Sequence, residues 1–335
     1  MLKKYYSGYI DLDCKSDYSE QHYKGRFFSV YFDTPRERRR NSFAIESDSE
    51  GNIVEMQCKE AIIQTSNIYN AIKASELINA ALNLVRGSVF LSNELPSILP
   101  LSTIEKKLML EIPESEIRDD RTIAIGGVSE ACRVACRASF RKAYYNALLK
   151  YQLGNYLCPI SMIDINPFHS PYYKISPFLF DHFRFAYAII AFYSVVEELG
   201  FEIKASKEMP SFIKGQWNPV IKKDVEDRLI KAGFDPKDLF VWNLRSTPTT
   251  IERHLRKKGK LRPIKKTSWA RANVRDTEIE LVDAIALVSN LRSSISSHKF
   301  NKSVESLSVY DVSNANYLAR RLLLGAIGLW KPKGK

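Results

Sequence analysis

The most apolar stretch of the sequence, which lies between Arg184 and Glu197, constrains the fold most strongly. It is 12 residues long, whereas a helix that spans a membrane needs about 20 apolar residues. Its hydrophobic side chains fall nearly all the way round a helix, a pattern typical of a helix enclosed by its neighbours. We therefore predict that a helix over residues 178–201 lies at the centre of a helical bundle and that the protein has no membrane contact.

The first sixty residues alternate apolar and polar side chains, which is the pattern of β-strands. Residues 26–32 and 42–45 show this alternation, and the polar residues 48–52 then supply a turn, so we predict a β-hairpin here. From Ala61 to Leu91 the apolar residues recur at helical spacing. The predicted fold class is α+β, with an N-terminal α+β domain over residues 1–125.

Hydrophobic spacing in the rest of the chain indicates a helical bundle over residues 126–335. Ser129 is the expected cap of its first helix, and either Asp311 or Ser313 is the expected cap of its last. A helix from about Thr277 has apolar side chains at steps of three and four residues. The further helices are expected over residues 129–153, 220–232 and 312–329.

Positive charge is concentrated in residues 245–275. Of the formal net charge of +12, this segment carries +10, since it contains 11 Lys and Arg residues and the single acid Glu252. Two interpretations fit an exposed segment of this kind: a solvated loop, or an RNA-binding element in which Trp242 or Trp269 stacks on a base. In the second interpretation, phosphates contact Arg253, Arg256, Lys257, Lys258, Lys260, Arg262, Lys265 and Lys266.

Common cofactor and metal motifs are absent from the sequence. It contains no GxxxxGK[ST], GxGxxG, GxSxG or HExxH motif and no calcium-loop motif, so no cofactor is expected. Cys132 and Cys136 lie one helical turn apart without a nearby histidine, and we interpret them as core residues rather than metal ligands. With no disulfide framework and no apolar leader at the amino terminus, we expect a cytoplasmic protein.

One arginine and one histidine stand out in a late helix. Arg292 precedes His298 by six residues in the segment LRSSISSHKF. This segment resembles the HEPN (higher eukaryotes and prokaryotes nucleotide-binding) family, whose helical bundles carry an Arg, four to six residues and a His near one end of a late helix. The resemblance covers residues 129–329. It includes VVEELG at residues 195–200 and LARR at residues 318–321, within the predicted last helix. Family members often have Asn, Asp or His directly after the arginine, where this chain has Ser293.

The resemblance implies a metal-independent endoribonuclease. Histidine titrates near neutrality, so His298 can take the proton of an RNA 2′-hydroxyl or protonate the departing 5′-oxygen. Arg292 can hold the scissile phosphate through its permanently charged fork. Ser293 and Glu198 are further candidates for this site. The family further implies a homodimer, and a role in toxin–antitoxin systems or antiphage defence with an antitoxin or regulatory partner.

Helix geometry constrains this pair. Six residues of a straight helix advance about 9 Å and leave the two side chains about 120° apart. Either the helix breaks at residues 296–297, or a second chain supplies part of the site.

A structural interpretation of the same residues stands beside the catalytic one. In it Arg292 pairs with an acid such as Glu198, and His298 closes the helix against its carbonyl dipoles. Glu197 or Glu198 either orients the pair or forms a surface salt bridge. The alternative functions are a non-catalytic RNA-binding or dimerisation scaffold and a nucleotide-binding regulatory domain. In the endoribonuclease interpretation, residues 1–125 sense a trigger or control access.

Overall fold

The chain divides into two compact units. Unit 1 comprises Met1–Arg86 and Phe90–Tyr145, and unit 2 comprises Gly87–Val89 and Asn146–Lys335. The boundary lies within a helix, downstream of the start at residue 126 that the sequence suggests for the bundle. The computed structural model describes residues 2–11, 22–33, 45–47, 53–55, 59–87, 98–102, 123–124, 126–158, 179–213, 216–244, 262–265, 275–295 and 307–330.

Strands dominate the first part of the chain and helices the second, which confirms the predicted α+β class. The strands are β1 (Lys3–Asp11), β2 (His22–Lys24), β3 (Phe28–Asp33), β4 (Ile45–Ser47), β5 (Ile53–Glu55), β6 (Lys59–Thr65), β7 (Leu99–Pro100), β8 (Ile123–Ala124), β9 (Phe212–Ile213), β10 (Gln216–Trp217), β11 (Leu239–Leu244), β12 (Arg262–Lys265) and β13 (Arg275–Glu280). The helices are α1 (Ile68–Arg86), α2 (Val128–Ala138), α3 (Lys142–Leu157), α4 (Leu179–Glu198), α5 (Pro219–Lys231), α6 (Leu281–Ile295) and α7 (Val309–Ala326).

A sheet and two helices form the core of unit 1. The antiparallel strands follow the order β2-β3-β6-β1, and β1 also pairs with β7 and, in parallel, with β8. Helices α1 and α2 pack against each other and against this sheet. Val30, Ile63 and Leu77 are fully buried in the resulting core.

The strand predictions for unit 1 succeed in part. Strands β4 and β5 pair antiparallel on either side of residues 48–52, which confirms the predicted hairpin. The helix predicted from Ala61 begins instead at Ile68, because the preceding residues form β6 in the middle of the sheet. A short apolar run occurs in buried strands and in buried helices alike, so hydrophobic spacing does not separate the two.

The helix predicted to run unbroken from Ser129 is two helices, α2 and α3. The Ser139 hydroxyl donates to the carbonyl of Cys136 at 2.6 Å and accepts the backbone N–H of Arg26 at 2.8 Å. A hydroxyl that bonds back to its own helix competes with the helical ladder, so the chain turns here. Ser129 is not the cap of α2: the carboxylate of Asp11 accepts the Ser129 N–H at 2.7 Å.

Helices α4, α6 and α7 form the centre of unit 2, with α4 packed on both of the others. The predicted apolar row of α6 is buried from Leu281 to Ile295, which confirms that part of the prediction. The helix starts at Leu281 rather than at Thr277, because β13 occupies the preceding residues. Helix α3 approaches α4 at Gly154, where a Cβ atom would lie only 2.6 Å from the ring of Phe192.

Helix α4 agrees with the predicted helix in its position but not in its surroundings. Phe180, Phe183 and Tyr187, which share one helical face, are 71%, 43% and 58% exposed. The prediction that neighbours enclose this helix on every side is therefore wrong, because apolar composition alone does not reveal which side remains uncovered. No helix among the described residues is long and apolar enough to cross a membrane.

A small sheet and a capped helix complete unit 2. Strand β13 lies between β11 and β12, so part of the basic segment 245–275 is regular structure. Pro263 lies on the edge strand β12, where a missing N–H is tolerated. Helix α7 begins at Val309 and its N-cap is Ser308, so the predicted cap, Asp311 or Ser313, is wrong. Asp311 is the third residue of the helix, and its carboxylate accepts the backbone N–H and the hydroxyl of Ser308 at 2.8 and 2.9 Å.

Candidate functional site

The carboxyl ends of α4 and α6 come together in unit 2. The Tyr193 hydroxyl of α4 donates to the Ser289 hydroxyl of α6 at 3.1 Å. One helical turn further along both helices, an oxygen of Glu197 lies 3.3 Å from Nη2 of Arg292. The two helices are in contact, and Val196 and Leu291 near their carboxyl ends are buried. The two matched pairs show that α4 and α6 run in the same direction here.

Arg292 is held from two sides and still reaches solvent. Glu197 pairs with its guanidinium, and the Cζ atom lies 5.9 Å from the ring centroid of Tyr193, a cation–π distance. The Arg292 side chain is 42% exposed and that of Glu197 is 36% exposed. An ion pair this exposed contributes at most about 1 kcal/mol to stability. Its principal effect is therefore to orient the guanidinium.

Tyr193 supplies a neutral ring beneath Arg292. Burial raises the pKa of Tyr193 above its usual value and outweighs the opposing effect of its hydrogen bonds with Ser289 and the backbone of Ile203. The phenol is therefore protonated at neutral pH. Tyr193 was not singled out from the sequence, although its four-residue spacing from Glu197 places both side chains on one helical face.

Glu198, the acid proposed from the sequence, lies beside a different cation. Its Oε1 atom is 2.7 Å from Nζ of Lys150 on α3, and the Glu198 side chain is only 24% exposed. The adjacent acids Glu197 and Glu198 thus connect α4 to α6 and to α3. The acid that contacts Arg292 is Glu197, which the sequence identified only as an alternative to Glu198.

The other members of the predicted catalytic set lie at and beyond the end of α6. Ser293 is exposed in the last turn of the helix. The last residue of α6 is Ile295, so His298 follows three residues later and lies outside the described residues. The structure therefore places Arg292, Ser293 and Glu198 and does not describe His298.

The RNA-binding set predicted in residues 245–275 is described only at two positions, and there only along the backbone. The register of β12 and β13 puts Arg262 opposite Glu278, and Lys265 opposite Asp276. The residues outside the described part of the chain are Arg253, Arg256, Lys257, Lys258, Lys260, Lys266 and Trp269.

The proposed stacking role of Trp242 is wrong. Its side chain is only 1% exposed, so it belongs to the core and offers no face to a base. Cys132 and Cys136 are also buried, which confirms their interpretation as core residues. Burial raises the pKa of Cys136 to about 12, so this sulfur is a thiol at neutral pH. Among the described residues, no three His, Cys, Asp or Glu side chains are grouped as metal ligands would be.

Comparisons of this chain with models of protein families, with curated proteins and with solved structures found no match.

Proposed function

We propose that this chain is a metal-independent, HEPN-like endoribonuclease that acts as a homodimer, with Arg292 and His298 as its catalytic residues. The observation that carries the proposal is the state of Arg292: a half-exposed guanidinium, oriented by Glu197 and Tyr193, close to the end of α6. Arg292 keeps much of its surface available to a ligand.

Arg292 would bind the scissile phosphate. The guanidinium carries five N–H donors in a planar fork, so the bond from Nη2 to Glu197 leaves most of its donor capacity for phosphate oxygens. Glu197 and Tyr193 are positioning residues, since they act through Arg292. By restricting the side chain before RNA arrives, they hold the guanidinium in the orientation that the reaction requires, which raises kcat rather than affinity.

His298 would transfer the protons. As a base, it takes the proton from the 2′-hydroxyl while the 2′-oxygen forms a bond to phosphorus and the bond from phosphorus to the 5′-oxygen breaks. The proton is then delivered to the departing 5′-oxygen. The products are a 2′,3′-cyclic phosphate and a 5′-hydroxyl, and Arg292 stabilises the charge that develops on the phosphate oxygens.

The homodimer would complete the site. Support comes from the exposed aromatic face of α4, formed by Phe180, Phe183 and Tyr187. The same helix carries Glu197, the ion-pair partner of Arg292, at its carboxyl end. Fully burying a large apolar side chain contributes about 1.5–3 kcal/mol. Three such side chains from each protomer would supply substantial association energy.

The same proposal includes a role as a toxin or in defence, with an antitoxin or regulatory partner. It also includes a cytoplasmic location and a sensing role for residues 1–125. They rest on the family resemblance and the amino-acid composition. The alternative is a non-catalytic RNA-binding or dimerisation protein with the same helical fold. It is favoured by the pairing of Glu197 and Glu198 with cations, since paired side chains are typical of structural sites.

The decisive experiment compares RNA cleavage by four variants in EDTA. Arg292→Ala and His298→Ala test the site, while Arg133→Ala and His22→Ala remove the same side-chain types from exposed positions of unit 1. We expect both site variants to lose at least about a hundredfold in rate and both controls to retain it. Cleavage that survives both site substitutions would contradict the assignment. If no form cleaves RNA, the non-catalytic alternative is the correct one.

A further inference from the structure

Unit 1 has a strongly positive end that no part of the proposed function uses. We call this set of exposed residues the cationic end. Three of its members lie on α2, on α3 or between them. The others lie on β1, at the end of β2 or in the turn that follows β2. Its members lie up to 139 positions apart in the sequence, so they form no visible charge run. The residues of the cationic end are Lys3, Lys4, Lys24, Arg26, Arg137, Arg141 and Lys142.

Strand register brings the first of these segments together. Lys3 lies opposite Thr65 at the end of β6, and Thr65 lies opposite Phe28 at the start of β3. The Thr65 hydroxyl donates to the carbonyl of Phe27 at 2.6 Å, which ties the turn after β2 to the same end of the sheet. The beginning of β1 and the turn that contains Lys24 and Arg26 therefore lie at one end of the sheet.

The turn between α2 and α3 joins them there. The Arg26 N–H donates to the Ser139 hydroxyl at 2.8 Å, and a Cβ atom on Gly25 would lie 2.8 Å from the same oxygen. Only a glycine permits this close approach. Because the two turns are in contact, the last turn of α2, which carries Arg137, and the start of α3, which carries Lys142, lie at this end of the sheet.

The opposite end of the same sheet is acidic. Asp33 lies opposite Glu60 in the register, and Asp11, at the end of β1, caps the amino end of α2, where Glu130 is exposed. Lys59 lies opposite Asp11 at this end, so a cation accompanies these acids. At the cationic end, Glu76 of α1 lies near Tyr145 of α3. Burial raises the pKa of Tyr145, and the negative charge of Glu76 raises it further.

Exposed aromatic rings accompany the cations. Tyr69, in the first turn of α1, is 74% exposed, and Phe140, between α2 and α3, is 54% exposed. A cleft of about 920 Å³ is lined by Lys3, Lys4, Asn67 and Tyr69, together with residues 98, 100, 101 and 102, and none of its lining residues is acidic. Its volume is in the range of small-ligand sites, about 300–1,000 Å³.

We propose that the cationic end of unit 1 binds single-stranded RNA, with the lysines and arginines on its phosphates and with Tyr69 and Phe140 stacked on its bases. Positive charge complements the backbone of any nucleic acid. Exposed rings favour a single strand, because duplex bases stack on each other and offer no free face. The choice of RNA over DNA rests on the proposed function. The proposal that a single strand binds at the cationic end does not rest on it.

Binding is measured by fluorescence anisotropy with the full chain carrying His298→Ala, so that the RNA stays intact. The probe is a labelled unstructured RNA of about 20 nucleotides. The charge variant is Lys24→Glu with Arg26→Glu, and the matched control is Lys223→Glu with Lys231→Glu, which makes the same charge change on exposed positions of α5. The stacking variant is Tyr69→Ala with Phe140→Ala.

The charge variant should weaken binding at least tenfold, and the slope of log affinity against log salt should fall by about 1.4, about 0.7 for each lost phosphate contact. The stacking variant should weaken it at least about fivefold, and the control should bind like the parent. Equal losses in the charge variant and the control would overturn the proposal, as would equal affinity for a duplex of the same length. Equal affinity for poly-L-glutamate would assign the surface to an acidic polypeptide instead. None of these outcomes depends on whether the parent chain cleaves RNA.

Discussion

Two arginines of unit 2 have the same kinds of neighbours and opposite exposure. Arg292 pairs with Glu197 at 3.3 Å and lies over Tyr193, and its side chain is 42% exposed. Arg321 of α7 pairs with Asp238 at 2.8 Å and lies over the ring of Trp330, and its side chain is only 6% exposed. The difference in exposure distinguishes two roles for an arginine that lies between an acid and an aromatic ring. A covered guanidinium joins elements of the fold, and an uncovered one is available to a ligand.

The largest effect is expected at Arg321. Its replacement by alanine removes the ion pair, the bond from Nη1 to the carbonyl of Leu239 and the packing against Trp330. We expect the free energy of unfolding to fall by about 3 kcal/mol, measured by urea denaturation. Arg292→Ala should change it by less than about 1 kcal/mol. Equal losses of stability in the two variants would erase the distinction between these arginines.

The dimer proposed for unit 2 predicts the next largest effect. Tyr187→Glu puts a carboxylate on the exposed face of α4, and burying an unpaired charge costs several kcal/mol. We expect the dimer dissociation constant, measured by analytical ultracentrifugation, to rise at least about a hundredfold. Val220→Glu is the matched control, since it makes the same kind of change at an exposed apolar position of α5. A monomeric wild type, or an unchanged dimer in Tyr187→Glu, would reject this interface.

A mixing experiment tests whether Arg292 acts with the histidine of a second chain. If each site takes one residue from each protomer, a mixed dimer of Arg292→Ala and His298→Ala contains one intact site. Half of the dimers in an equal mixture are mixed, so about one quarter of the wild-type cleavage should return. In a mixture of Arg321→Ala and His298→Ala, the loss of Arg321 should not lower cleavage, because that side chain is structural. Failure of the first mixture to recover would place both catalytic residues on one chain.

The smallest effect is expected at Glu197. Glu197→Gln keeps a hydrogen-bond acceptor beside Arg292 but removes the charge that orients the guanidinium and partly neutralises it. We expect kcat to fall about threefold while KM for RNA also falls, because the freed positive charge attracts the phosphate more strongly. Glu198→Gln, on the Lys150 side of α4, is the control and should change neither constant. A rise in KM would contradict a positioning role for Glu197.

The sequence predicted those parts of the fold that depend on spacing along one element. The buried row from Leu281 to Ile295 repeats at helical intervals, so α6 could be found, and the polar residues 48–52 marked the hairpin. The start of α1 was misplaced because the apolar residues of β6 have no period of their own. The exposed face of α4 was missed because apolar residues occur on all its sides.

The sites depend on contacts between distant residues, which spacing does not reveal. Glu197 and Arg292 are 95 positions apart, and they meet only because α4 packs on α6. Charge shows the same limit. The contiguous basic run in residues 245–275 was visible in the sequence, whereas the cationic end of unit 1 is assembled by strand register and turns.

The central claim, that Arg292 is catalytic and Arg321 is structural, is tested most directly by single-turnover cleavage of end-labelled RNA in EDTA. Rates are compared at a temperature where thermal unfolding shows wild type, Arg292→Ala and Arg321→Met all to be folded; methionine retains much of the packing beside Trp330. The account predicts 2′,3′-cyclic phosphate products from wild type and from Arg321→Met, and a rate at least about a hundredfold lower for Arg292→Ala. Cleavage by folded Arg292→Ala at the wild-type rate would contradict it.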